Sequence, residues 1–165
     1  MTDRTPAAPS RTGSRRRRVL WLLLGAPALV LTIAGEWAPF LQVPLGEGMS
    51  GPISAYAAAV DPAILEGEGS QGPIIRAGFI GLLIVVALLV LTLLFAVGMR
   101  RMPRTVRGIG LLLGVLGVLG ALAVLVLMGV GMRNVSAHPG SGGILLLVGA
   151  TLATVVFAGA GRPRA

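Results

Sequence analysis

The sequence has no cysteine and no lysine, and its aromatic residues number only two Trp, one Tyr and four Phe. Without cysteine there are no disulfides, no thiolate chemistry and no Cys-ligated metal, and the redox compartment is left open. Without lysine, all fourteen basic residues are Arg, which together with abundant Ala, Gly and Val points to a GC-rich bacterial genome. Four long stretches contain no charge at all. Ionisable groups inside a bilayer mark ion paths and proton relays, so their absence from these runs argues against a coupled transporter or pump. No Gly-x-Ser-x-Gly, His-Glu-x-x-His or phosphate-binding loop occurs, and no catalytic, cofactor or metal site is expected. His138 is the only histidine and has no carboxylate neighbour in sequence, which makes it a poor ligand or base.

More than half of the 165 residues are hydrophobic and the mean hydropathy is +0.88, too apolar for the surface of a soluble domain. The uncharged runs are Val19–Gly35, Ala77–Met99, Gly108–Met132 and Ile144–Ala160. An α-helical crossing needs ~20 apolar residues, so the first run is near the minimum. The second holds fifteen Leu, Ile, Val and Phe residues. On the biological insertion scale those residues favour the membrane by roughly 5–9 kcal/mol, an upper bound.

The net charge of +8 would fit nucleic acid only if a basic face carried reading or stacking residues, and here the Arg instead flank apolar runs. Four crossings put Arg4, Arg11, Arg15, Arg16, Arg17, Arg18, Arg100, Arg101, Arg104, Arg107, Arg162 and Arg164 on one side, and Arg76 and Arg133 on the other. Positive residues stay in the cytoplasm during insertion. The expected fold class is therefore an all-α membrane protein with four transmembrane helices and both termini cytoplasmic, in a bacterial cytoplasmic membrane. The expected layout is a disordered basic tail over 1–18, helices over 19–35, 74–99, 108–132 and 144–160, outer loops over 36–73 and 133–143, a basic turn over 100–107, and a tail over 161–165. Pro27 is expected to kink the first helix. A cleaved signal peptide is the rival for the first run, given Arg16-Arg17-Arg18 and the small residues Ala34 and Gly35; an uncleaved signal-anchor is preferred because the apolar run exceeds a typical signal core.

Lipid tails are as apolar as Leu, so small residues rather than hydrophobicity bring membrane helices together. Gly110, Gly114, Gly117 and Ala121 recur at steps of four and three. Gly25, Ala28, Thr32 and Gly35 form a second row, and Gly149 and Ala153 a small-xxx-small pair. Either these rows face the bundle interior, or they reflect how common Gly and Ala are in such genomes. Thr32, Thr92, Thr151 and Thr154 are expected to bond their own helix backbones.

The outer segment over 36–73 is the part best placed to meet a partner. Trp37 suits headgroup-level anchoring. Ile53–Val60 reads as a short helix interrupted by Asp61-Pro62, and Glu66-Gly67-Glu68-Gly69 as a solvated acidic linker. Arg76 either snorkels to the headgroups or pairs with Glu36 to clip the first two spans. On the opposite side, Arg15 to Arg18 and the turn carrying Arg100, Arg101, Arg104 and Arg107 either serve orientation alone or also bind anionic lipid at about 1 kcal/mol per cation.

The partners expected are the lipid bilayer and another membrane protein or a second copy, with no nucleic acid. The expected function is a non-enzymatic accessory or scaffold subunit on a larger membrane complex. The alternative is a lipid-handling or small-solute permeation protein, and a membrane enzyme using the outer carboxylates Glu36, Glu47, Asp61, Glu66 and Glu68 comes third.

Overall fold

The computed structural model describes residues 12–46, 49–61, 72–99, 102–131 and 138–159. The chain is mostly helical. Its elements are α1 (Thr12–Trp37), β1 (Pro39–Gly46), β2 (Met49–Ser54), α2 (Ala55–Val60), α3 (Gly72–Gly98), α4 (Arg104–Gly131), β3 (His138–Pro139) and α5 (Ser141–Gly159). Segments of α3, α4 and α5 spanning 25, 23 and 19 residues are long and apolar enough to cross a membrane, and α1 contributes a shorter apolar stretch, Leu23–Trp37. Three such helices mark a multi-pass membrane protein.

Two expectations need correction. The all-α description omits a three-stranded antiparallel sheet of order β2-β1-β3. The basic tail is not wholly irregular, because α1 begins at Thr12 and carries Arg15 to Arg18 in its first turns. Arg is a good helix former and continues the helix outward from the apolar run. The tails 1–11 and 160–165 and the acidic stretch 66–69 lie outside the described residues.

Where α1 stops is dictated locally. The residue before a proline is pushed out of the α region, so Ala38 ahead of Pro39 ends the helix. The Ala38 N–H still donates to Ala34 O at 2.8 Å. The chain then turns into β1, which pairs with β2 through Leu41↔Ile53 and Val43↔Gly51. β3 reaches only Leu41 and Gln42 of β1. Among the described residues nothing pairs with that side of β1 beyond Gln42, and there Pro44, which has no N–H to offer, is tolerated. Ser54 accepts from Ala57 N–H at 3.1 Å and caps α2, while Asp61 terminates it.

The long helices α1, α3 and α4 each bury a stripe at alternating steps of three and four, and α5 buries two. In α3 the stripe is Phe79, Leu82, Val86, Leu89, Leu93 and Ala96; in α5 one runs through Gly142, Leu146, Gly149, Ala153 and Val156 and the other through Gly143, Leu146, Ala150, Ala153 and Phe157. This is the 3.5-residue repeat of left-handed helix packing. α5 packs most extensively on α1 and next on α4, and α4 also packs on α3. The share of the apolar stretch buried is 44% in α5 but 28% in α3 and in α4, so α5 is the central helix. The remaining faces of α3 and α4 present Leu88, Leu91, Phe95, Leu112, Leu119 and Val126 outward.

Candidate functional site

The small-residue rows lie at helix–helix contacts. A methyl group built on Gly110 would lie 2.5 Å from the Phe157 ring, and one on Gly117 would lie 3.3 Å from the Ala150 methyl. Gly114 faces the Thr154 hydroxyl. Ala121 is fully buried beside Phe40, Phe79 and Leu146. α4 therefore meets α5 through this row. On the far side of α5, a methyl on Gly149 would lie 2.6 Å from Thr32 N, and one on Gly35 would lie 2.6 Å from Leu146 N. These are backbone-to-backbone approaches. Ala28 is fully buried in the same seam, while Gly25 is buried against Trp21 of its own helix. Thr32, Thr92, Thr151 and Thr154 each donate to the carbonyl four residues back at 2.6–2.8 Å, so these four hydroxyl protons are held by their own helices.

These pairings also fix the ends. Phe157 meets Trp21 edge-on at 5.9 Å and abuts Gly110, which gathers the starts of α1 and α4 with the finish of α5. Arg15 to Arg18 and Arg104 therefore share one end of the bundle with Arg107. Arg100 and Arg101 lie outside the described residues. At the other end the Gly140-Ser141-Gly142-Gly143 run packs on the 38–40 segment. Gly140 N–H donates to Phe40 O at 2.8 Å, and methyl groups on Gly140 or Gly142 would strike the carbonyls of Pro39 and Ala38. Read from sequence, this run belongs to the outer loop over 133–143; in the fold it is where α5 is fastened to the end of α1.

Two arginines act in a way the sequence does not announce. Arg107, near the start of α4, donates Nε to Phe157 O at 3.1 Å and Nη2 to Ala158 O at 3.3 Å. Arg76, near the start of α3, donates Nε to Ala59 O at 3.1 Å and Nη2 to Val60 O at 3.4 Å. In each case a planar guanidinium fork satisfies consecutive carbonyls at the C-terminal end of a neighbouring helix, where carbonyls lack partners and the helix dipole favours a cation. The only sequence signal was position, an Arg in the first turns of a long apolar helix.

The expected Glu36–Arg76 clip is thus replaced. Arg76 serves the end of α2, and both Glu36 oxygens are buried without a hydrogen-bond partner. Glu36 is the first residue beyond the Val19–Gly35 run, in the last turn of α1. Burial pushes its pKa from 4.5 up to about 7, because a charge there would lose its water without gaining a donor. Next to it, Trp37 stacks on Tyr56 of α2 with ring centroids 4.9 Å apart. Of the other outer carboxylates, Asp61 sits exposed at the end of α2, and Glu47, Glu66 and Glu68 lie outside the described residues. Among the described residues no three His, Asp or Glu side chains converge as metal ligands would.

Compared with protein-family models, curated proteins and solved structures, the chain matches none.

Proposed function

We propose that the chain is a four-span protein of a bacterial cytoplasmic membrane, with both termini cytoplasmic, that serves as a non-enzymatic accessory subunit docked on a larger membrane complex. The carrying observation is a bundle whose seams are closed by glycine and alanine contacts and whose intramembrane hydroxyls are spent on their own helices. A protein that moves solutes needs a polar or hydrated path, and such seams leave little for one. The outward faces of α3 and α4 and the sheet-bearing cap are the surfaces left for a neighbour. The orientation is supported by the gathering of Arg15 to Arg18, Arg104 and Arg107 at the end opposite the sheet.

Two experiments test these statements separately. The cysteine-free chain permits single reporters: in sealed cells Pro52→Cys should react with an impermeant maleimide and Thr105→Cys should not. Labelling of Thr105→Cys would overturn the orientation. Mild-detergent purification at native expression should recover a larger membrane complex; recovery of the isolated monomer would refute docking. Solute flux or lipid transfer in reconstituted vesicles would favour the permeation alternative.

A further inference from the structure

Among the described residues Glu36 is the only buried ionisable side chain. It is 7% exposed, and neither carboxylate oxygen reaches solvent or a donor. A buried carboxylate is tolerated as the neutral acid and strongly disfavoured as an unpaired anion. Among the described residues, the elements packed around it supply no ready counter-charge. α5, which packs along α1, has no titratable residue between Ser141 and Gly159. α3 has only Arg76, held on the α2 carbonyls. α2 offers Tyr56 and, at its end, Asp61; the sheet continuing from α1 offers His138.

The position of Glu36 gives its protonation state a lever. One residue on, Trp37 stacks against Tyr56, and α2 in turn seats Ala55, Ala58 and Ala59 in the cluster built around Phe40, Phe79 and Leu82. Glu36 thus adjoins, along α1, the aromatic pair that joins α1 to this cap.

We propose that Glu36 is a proton-binding site that couples the pH outside the membrane to the seating of α2: protonated, it keeps the cap closed, and ionised, it releases the Trp37–Tyr56 contact so that water or the Arg76 guanidinium can reach the carboxylate. The inference does not depend on docking to any partner.

The test uses the full chain in lipid nanodiscs. Trp21→Phe leaves Trp37 as the sole tryptophan, and its quenching by acrylamide is followed as pH rises. A sigmoidal rise with a midpoint near 7 is expected. Glu36→Gln, which mimics the neutral acid, should hold the low value throughout, and His138→Gln should leave the transition in place. A flat profile in the parent, a transition surviving in Glu36→Gln, or its loss in His138→Gln would each overturn the proposal. A second measurement needs no tryptophan replacement. The denatured chain ionises at 4.5 and the folded one at about 7, so stability is greatest below 4.5, falls as pH rises through that interval, and levels off above it. The melting temperature of the unaltered chain should follow that course, and Glu36→Gln should lack the Glu36 share of the fall. Equal slopes would overturn the proposal.

Discussion

The seam between α1 and α5 and the seam made by α3 share a spacing but are filled with opposite materials. Along α1 and α5, Gly35, Thr32, Ala28, Gly149 and Ala153 let one backbone rest on the other. Along α3, Phe79, Leu82, Leu89 and Leu93 project as knobs, and the ends of Leu82 and Leu89 approach Gly120 and Gly117 of α4. In water both would be stabilised by removing apolar surface from solvent. In hydrocarbon that gain largely vanishes, and each seam is worth only what its fit is worth. The two should then fail differently: the backbone seam by having no slack, the knob seam by losing contact atoms.

The largest effect is expected from Gly149→Leu. The nearest atoms are the Thr32 amide nitrogen and hydroxyl and the Leu31 carbonyl carbon, and the two backbone atoms cannot swing aside as a side chain can. Overpacking costs typically 1–3 kcal/mol where neighbours relax, and this site should reach or exceed about 3 kcal/mol. Thermal melting in detergent would measure it; a shift no larger than that of an exposed control would show that α1 and α5 do not meet in this way.

Next comes Leu89→Ala, a fully buried knob on α3. In water-soluble proteins such a truncation costs about 2–5 kcal/mol, part of it a transfer term that is largely lost when the unfolded reference also sits in lipid. A loss of about 2 kcal/mol is expected from the cavity alone. A loss above about 4 kcal/mol would mean that water reaches this seam in the unfolded reference. Smaller still is Gly120→Ala. Its methyl would lie 2.9 Å from Leu82 Cδ1, the movable end of a side chain, so the change should stay within about 1 kcal/mol. Gly81→Ala meets nothing within 4 Å and should stabilise α3 by about 0.5–1 kcal/mol through helix propensity. If Gly120→Ala proved as damaging as Gly149→Leu, the distinction between the seams would fail.

The long apolar helices were readable in the sequence because hydrocarbon imposes a length and forbids charge, and both requirements act residue by residue. The seams were half readable. The four-three spacing of Gly110, Gly114, Gly117 and Ala121 names a face, but which helix receives it depends on Phe157, Thr154 and Ala150, far along the chain. The outer cap was least readable. Pro39, Pro44 and Pro52 argue against strands, yet Pro39 is the first residue of β1, Pro52 lies on the edge strand β2, and the two-residue β3 reaches only Leu41 and Gln42 of β1. A Phe40-Leu41-Gln42-Val43 run followed by Gly46-Glu47-Gly48 was the available hairpin signal. Glu36 and Arg76 were singled out for sharing a side, but sequence cannot tell that the guanidinium finds better acceptors in the Ala59 and Val60 carbonyls.

That last point carries the smallest expected effect, a coupling near zero. If Arg76 stabilises the end of α2 while protonated Glu36 makes no hydrogen bond, Arg76→Ala and Glu36→Gln act on separate contacts. Arg76→Ala alone should cost about 1 kcal/mol, the worth of a partly exposed hydrogen bond from a charged donor. Below about pH 6 most Glu36 is protonated, and the double variant should equal the sum of the singles within about 0.5 kcal/mol. A coupling above about 1 kcal/mol under those conditions would restore a direct Glu36–Arg76 pair. A coupling that emerges only as pH rises past 7 would instead place the guanidinium at the carboxylate after the proton has left.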